Sequence, residues 1–411
     1  MNRNLKLIWA ADAISIFGTA IYTLALTLLS FEYTDSVFGA GAILFTSIIP
    51  YFFIGVFAGV ISDRVDRKKL MILCDIFRGI LSLSIPLAHD LNILTVQQII
   101  IVSFLITAFR AFFHPTIQAS IPLLVEDKTQ LNKVNSYIGS TQNLGMMLGP
   151  TLGGMLLIFD FNVSQLLYID SITYFLSALF IFGVRFPETK QEMNSEKTSI
   201  LKDAWNGIKF MSYKNKAIAI IMLAFASQLL VGVGVIQLGI PKILSSINMT
   251  EGSMFGYILS AIAFSSTISS FWLATRKVKR PVIWIFAGYG VRGVAFFLLG
   301  LTSSLEYIIL AAVIIGFGST ISGTTMTTLL QLRTPNTMLG KVMAVRSSIG
   351  NIADAFAYLI VGSLLSAFSL FISFTIITIY VFTTIGLFSY LWYRSISKSK
   401  TAEIVYQSSS Y

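Results

Sequence analysis

A single cysteine, Cys74, rules out an intrachain disulfide, and two histidines with no cysteine nearby give no zinc-ligand spacing. The phosphate-cradling pattern Gly-x4-Gly-Lys does not occur, so ATP is not expected to drive this chain directly. No Ser/His/Asp grouping or paired histidines suggest catalysis, and the sequence predicts no enzyme, no cofactor and no metal. The net charge of +10 lacks the basic and aromatic interleaving of a base-stacking platform, which argues against nucleic acid. Charge is scarce overall: 12% of the 411 residues are charged, against about 25% in soluble domains, while 55% are apolar. A soluble fold could not hide that apolar excess.

What is present points to lipid. Mean hydropathy is +0.78, and several apolar runs reach the roughly 20 residues that cross a bilayer as helix. Apolar runs with polar breaks predict twelve spans, at 8–31, 39–61, 70–89, 95–118, 135–159, 163–185, 217–238, 255–275, 282–301, 305–327, 342–366 and 370–393. The first run is too long for a signal-peptide core and lacks a small-x-small cleavage site, so it reads as the first span. Cations set the orientation. With the N-terminus inside, the inner segments hold Arg64, Arg67, Lys68 and Lys69, then Lys128 and Lys133, the group from Lys190 to Lys216, Arg276 to Arg280, and Arg394 to Lys400, whereas the outer loops hold only Lys242. Both termini are therefore expected in the cytoplasm. The segment 187–216 divides the spans six and six, and Ile200, Leu201, Trp205, Ile208 and Phe210 alternate there with Lys202, Asp203 and Lys209 as in an interfacial amphipathic helix. The expected plan is an N-terminal six-helix bundle over 1–186, a cytoplasmic linker over 187–216, a C-terminal bundle over 217–394 and a tail over 395–411. Such halves are a common transporter plan, with the substrate site between them near the midplane.

Two motifs sharpen this reading. Between spans two and three stands Gly59-Val-Ile-Ser-Asp63-Arg64-Val-Asp66-Arg67-Lys68-Lys69, in which Gly59 and Asp63 share one helix face. Span five carries Gly145-Met-Met-Leu-Gly149-Pro150-Thr-Leu-Gly153-Gly154, a small-residue stripe at four-residue spacing with a proline that removes a backbone hydrogen bond. The first resembles motif A of the major facilitator superfamily, G-x-x-x-D-R-x-G-R-K, with Asp66 where the common pattern has glycine. The second is similar to motif C of that superfamily's antiporters. Ala111-Phe-Phe-His-Pro115, Ile121-Pro-Leu-Leu-Val125, Leu131-Asn-Lys-Val-Asn135 and Leu339-Gly-Lys-Val342 resemble its macrolide-efflux branch among the drug:proton antiporters. The second half keeps only a degraded counterpart of motif A around Arg276 to Arg280. The resemblance implies an all-α membrane protein of two pseudo-symmetric six-helix bundles that works by alternating access and proton-coupled export. Motif A (Gly59, Asp63, Arg64, Arg67, Lys68) would be a conformational latch, and motif C (Gly145, Gly149, Pro150, Gly153, Gly154) would set helix packing.

An ionisable side chain at a helix centre costs about 2.5–3.5 kcal/mol on insertion scales, so each calls for a partner or a cavity. Asp75 and Arg78 lie three apart in span three and can neutralise one another as a structural pair. Asp12 lies roughly 9 Å beyond Lys6 if helical, on a stripe with Ser15, Gly18, Thr19 and Tyr22, and reads either as a proton carrier or substrate-cation contact or as a structural partner. Arg110 in span four resembles the arginine of the family's motif B, and pairing with a facing Asp12 or Asp170 would make a proton switch. Asp354 in span eleven is a third coupling candidate, whereas Asp170, Arg292 and His114 read as structural. Tyr22, Phe113, Gln142, Asn143, Met146, Phe225, Gln228 and Phe317 are the candidate cavity lining, because aromatic, amide and Met side chains adapt to varied amphiphiles.

The sequence thus predicts a proton-coupled antiporter that exports a small amphiphilic compound, such as a macrolide-type drug, from a bacterial inner membrane and works as a monomer. A dedicated exporter of a siderophore or another metabolite is the main alternative, ahead of an uptake symporter or a non-transporting membrane protein.

Overall fold

The computed structural model describes residues 2–34, 36–51, 53–54, 65–125, 131–186, 209, 216–249, 252–276, 278, 280–301 and 304–408. Their architecture is all-helical. The helices are α1 (Arg3–Tyr33), α2 (Val37–Thr46), α3 (Arg67–Asp90), α4 (Val96–Leu124), α5 (Leu131–Ile158) and α6 (Val163–Phe182). Helix α7 runs Lys216–Gly234, passes through a π-helical turn at Val235–Gly239 and continues as Ile240–Ser246. It is followed by α8 (Gly252–Ala274), α9 (Pro281–Leu301), α10 (Leu305–Arg333), α11 (Asn336–Ala367) and α12 (Leu370–Ser408). Among the described residues ten helical stretches are long and apolar enough to cross a membrane, with Val37–Tyr51 a shorter apolar one. Each of the twelve expected spans carries helix over its described residues. Several helices run past their predicted spans, as α4 does to Leu124 and α10 to Arg333. The expected amphipathic helix in 187–216 lies outside the described residues except for Lys209.

By contact density the chain divides into two units, Met1–Lys197 with Asn248–Ala263, and Thr198–Ile247 with Phe264–Tyr411. In the first, local chemistry fixes the helix ends. Asn2 caps α1 by accepting from the Leu5 amide at 2.9 Å, Thr95 caps α4, and Asn162 with Gln165 closes a capping box on α6. Asp66 caps α3, accepting from the Lys69 amide at 3.1 Å. Its departure from the motif A pattern therefore exchanges a glycine for a helix cap. At this end of the unit, Arg67 Nη1 donates to the Ala119 carbonyl and Lys68 Nζ to the Val184 carbonyl, both at 2.7 Å. Asn2 and Asn4 donate to the carbonyls of Leu124 and Arg185. The starts of α1 and α3 are thus tied to the ends of α4 and α6. At the opposite end His89 lies 3.1 Å from Glu32 and 2.8 Å from Ser164, while Tyr168 donates to Asp90 at 2.8 Å.

Association of helices in lipid rests on close packing and polar contacts, since hydrocarbon is as apolar as leucine. Both devices appear in each unit. The first packs Ile8, Met71, Phe113, Ile117 and Ile181 into one core, with α5 fitted against α1 through glycine. The second packs Ile221, Ile285, Tyr289, Met326 and Val345. There Gly288 of α9 and Gly318 of α10 meet with no room for a Cβ on either, and Ser265 of α8 donates to the Val313 carbonyl of α10 at 2.6 Å. Leu179, Phe182, Phe264, Phe271 and Ile379 stay exposed on helix exteriors, where acyl chains would cover them.

Candidate functional site

The glycine stripe of α5 has a defined counterpart. A Cβ added at Gly145 would strike Ile16, one at Gly149 would strike Ala20, and one at Gly153 would come within 2.8 Å of Leu24 Cδ2. Three glycines at four-residue spacing thus receive three α1 residues at the same spacing, so two helix backbones approach closely along two turns. Gly154 points elsewhere and meets Gly256 of α8, within the same unit. Pro150 occupies the same helical stretch, and of its side chain, as of Gln142, Asn143 and Met146, only the position on α5 is described.

Beside this seam the first unit buries a polar cluster. Arg78 Nη2 donates to Asp75 Oδ1, forming the expected pair, with Arg78 only 1% exposed. Ser177 of α6 donates to Asp75 Oδ2 at 2.6 Å, and Ser82 of α3 donates to Asp170 Oδ2 at 2.7 Å. Asp75, Arg78 and Ser82 stand at i, i+3 and i+7 on one face of α3, and Asp170, Tyr174 and Ser177 at i, i+4 and i+7 on one face of α6. The two antiparallel faces exchange serine and aspartate crosswise. The Arg78 guanidinium lies 4.3 Å from the Phe113 ring and 4.5 Å from that of Tyr174, two aromatic faces that favour a desolvated cation. Phe113, expected as cavity lining, is therefore a buried platform for Arg78.

Asp170 Oδ1 is buried with no hydrogen-bond partner among the described residues. Asp12 is 4% exposed and within electrostatic range of Asp75. Arg110 is half-buried, and its charge reaches Asp170, Tyr174, Tyr51 and His114 without an ion pair among the described residues. Asp170, one of the two aspartates expected to face Arg110, lies within its field. Tyr22 is buried and shares a 2.9 Å hydrogen bond with Ser103 of α4. Of motif A, Gly59, Asp63 and Arg64 lie outside the described residues.

The second unit holds its own cluster. Arg292 of α9, 7% exposed, donates through Nη2 to the Gln228 carbonyl at 2.8 Å and to Gln228 Oε1 at 3.3 Å. Gln228 Nε2 donates in turn to Thr384 of α12 at 2.8 Å, so the expected lining residue is an arginine ligand. Asp354 lies within electrostatic range of Arg292, yet its Oδ1 is buried without a hydrogen-bond partner among the described residues. Phe225 lies 4.9 Å below the guanidinium of Arg346, and Phe317 is half-buried against Trp272. Arg346 is a residue that reading by sequence overlooks. It stands inside the predicted eleventh span, where any cation calls for explanation.

Close helix packing on a glycine stripe and buried charges in both units describe a transporter body, and the sequence comparison identifies the lineage. The profile of the Major Facilitator Superfamily matches residues 8–358. The chain belongs to the major facilitator superfamily. Relatives of this major facilitator include macrolide efflux protein A of Streptococcus pyogenes, 24% identical over 351 residues that cover 84% of this chain and 85% of that protein. A candidate bacilysin exporter of Bacillus subtilis, BacE, is 26% identical over 214 residues, about half of each chain. The chain is thus a multi-pass membrane transporter consistent with the macrolide-efflux-like branch. Among solved major facilitators, a bacterial homologue of the lysosomal transporter Spinster, inward-facing and unoccupied, superposes with a TM-score of 0.74 over 96% of this chain and 97% of that one. The nucleoside transporter NupG does so with a TM-score of 0.70 over 95% and 99%. Identities of 14% and 16% make these likenesses of fold.

Proposed function

We propose that this major facilitator is a proton-coupled antiporter that carries a small amphiphilic compound, such as a macrolide-type drug, out of the cytoplasm. The observation that carries the coupling is the charge inventory of the first unit. Among the described residues Asp12, Asp75 and Asp170 are buried in these helices, together with a buried Arg78 and a half-buried Arg110. A carboxylate that loses its countercharge in such a place costs several kcal/mol, and in this reading one of these acids takes up the coupling proton. Asp12 and Arg110 are the coupling residues to test first, with Asp354 the candidate in the other half. A proton arriving from outside neutralises a carboxylate and weakens its hold on the nearby arginine, and release to the cytoplasm restores it. The α1 and α5 seam supports the export direction, because it is built from the residues that match the antiporter motif.

In this reading 1–186 and 217–394 are the two rocking bundles, 187–216 links them, and both termini face the cytoplasm of a bacterial cell. Motif A latches the cytoplasmic side, and the protein works as a monomer. The likeness to BacE favours a second reading, a dedicated exporter of one secreted metabolite such as a siderophore or peptide. Purified protein in liposomes with an imposed pH gradient separates the two. A macrolide, a lipophilic dye and a catecholate siderophore are offered in turn, and proton flux and ligand movement are recorded. Proton flux with several unrelated compounds supports drug efflux, flux with the siderophore alone supports the dedicated exporter, and ligand movement without proton flux contradicts antiport.

A further inference from the structure

The second unit presents the opposite imbalance. Among its described residues Arg292 of α9 and Asp354 of α11 lie inside the spans, and Arg346 stands near them at the start of the Val345–Ala367 span, two cations about one anion. A guanidinium does not shed its proton in proteins, so the excess positive charge calls for an anion. Asp354 supplies one, and its field reaches Arg292. Arg346 has the Phe225 ring beneath it, and Tyr289 stands within range of both guanidinium groups. Three donors are buried here without an acceptor among the described residues: Arg292 Nε, Arg346 Nε and the Tyr289 hydroxyl. Gln228 already takes Nη2 of Arg292, and the rings of Tyr289 and Phe296 flank that guanidinium at 5.7 and 5.6 Å. Aromatic walls with unsatisfied cationic donors suit an amphiphile that ends in an acid, since a carboxylate accepts two parallel bonds from a guanidinium.

We infer that Arg292, Arg346 and Tyr289 form an anion-binding subsite in the second unit, and that the transported compound carries a carboxylate or comparable acidic group that docks there. This rests on the transport reading above and, within it, favours an acidic metabolite over a macrolide, whose ionisable group is an amine. Arg346, half-buried, is the more accessible cation and makes the first contact, while Arg292 is held by Gln228 for the second. Asp354 competes with the ligand for Arg292. The neighbouring aspartate thereby keeps the empty subsite from being a bare pair of cations.

The test uses purified full-length protein in phosphatidylcholine nanodiscs and two probes of nearly one shape, N-dansyl-phenylalanine and its neutral amide, with binding read by dansyl fluorescence. The acid is expected to bind about tenfold more tightly than the amide. Arg346→Gln should bring the two within about threefold of each other, and Asp354→Asn should strengthen binding of the acid but not of the amide. Arg292→Gln is read only where thermal unfolding shows an intact fold, and Arg346→Gln keeps the test decisive if it does not. Equal binding of the two probes by the unaltered protein, no binding of either, or a preference that survives Arg346→Gln overturns the subsite. Loss of the preference when phosphatidylglycerol is added to the nanodiscs assigns the subsite to a lipid headgroup and overturns the substrate role. An intact preference in a protein that moves no compound in liposomes contradicts the transport reading alone, and efflux without the preference contradicts the subsite alone.

Discussion

At the scale of single residues, what decides the interior is which polar atoms find partners. The Asp75 and Arg78 pair is legible in sequence because both members lie on one helix face three positions apart. Their serine partners are not legible, since Ser82 and Ser177 bond across α3 and α6 over separations of 88 and 102 residues. Serine in a span also carries no mark that distinguishes a cross-helix donor from one that bonds its own backbone, as Ser30 does at Leu26. Ser177→Ala removes a donor to a buried carboxylate and should lower stability by about 1.5–3 kcal/mol, read as thermal unfolding in detergent. Gln228→Leu keeps the volume but strips Arg292 of Oε1 and Thr384 of its donor. A loss of about 1–3 kcal/mol is expected, and an unchanged unfolding temperature would show that the arginine is satisfied some other way. Asp66 gives a finer comparison. Asp66→Ala removes the α3 cap at about 1 kcal/mol, whereas Asp66→Gly, which restores the common motif A residue, should cost only a few tenths.

At the scale of helices, the spans were readable because hydropathy and length act locally, and twelve stretches predicted from apolar runs all carry helix. Their ends were less readable. Helix α7 extends eight residues beyond its predicted limit at 238, through a π-helical turn that no single residue type announces. The α5 stripe was visible as a packing surface, but its receptor on α1 was not, because Ile16, Ala20 and Leu24 are ordinary span residues. That seam gives a prediction at its own scale. Gly149→Leu forces α1 and α5 apart where Ala20 now sits, and should lower stability by about 1–3 kcal/mol together with transport. Gly149→Leu with wild-type turnover would mean that close approach of these helices plays no part in the cycle. At Gly290 a Cβ has ordinary clearance, with Phe382 Cε1 at 3.9 Å, so Gly290→Ala serves as the control that should leave both quantities unchanged.

At the scale of the whole molecule, family membership rests on a match across residues 8–358, solved transporters share the fold, and the proposed work rests on charge. Among the described residues the first unit buries Asp12, Asp75 and Asp170 with Arg78, while Arg292 and Arg346 gather near Asp354 in the second, an asymmetry invisible in a net charge of +10. In the proposed cycle the acids of the first unit carry the proton. Export into an acidic exterior should therefore quicken as the outside pH falls, and reversing the gradient should reverse net movement. The most direct test of that claim is transport by Asp12→Asn in proteoliposomes preloaded with a compound moved by the unaltered protein. The account predicts that the variant still exchanges labelled for unlabelled compound across the membrane but no longer accumulates it in response to a pH gradient. Accumulation at the wild-type rate would contradict Asp12 as the coupling acid.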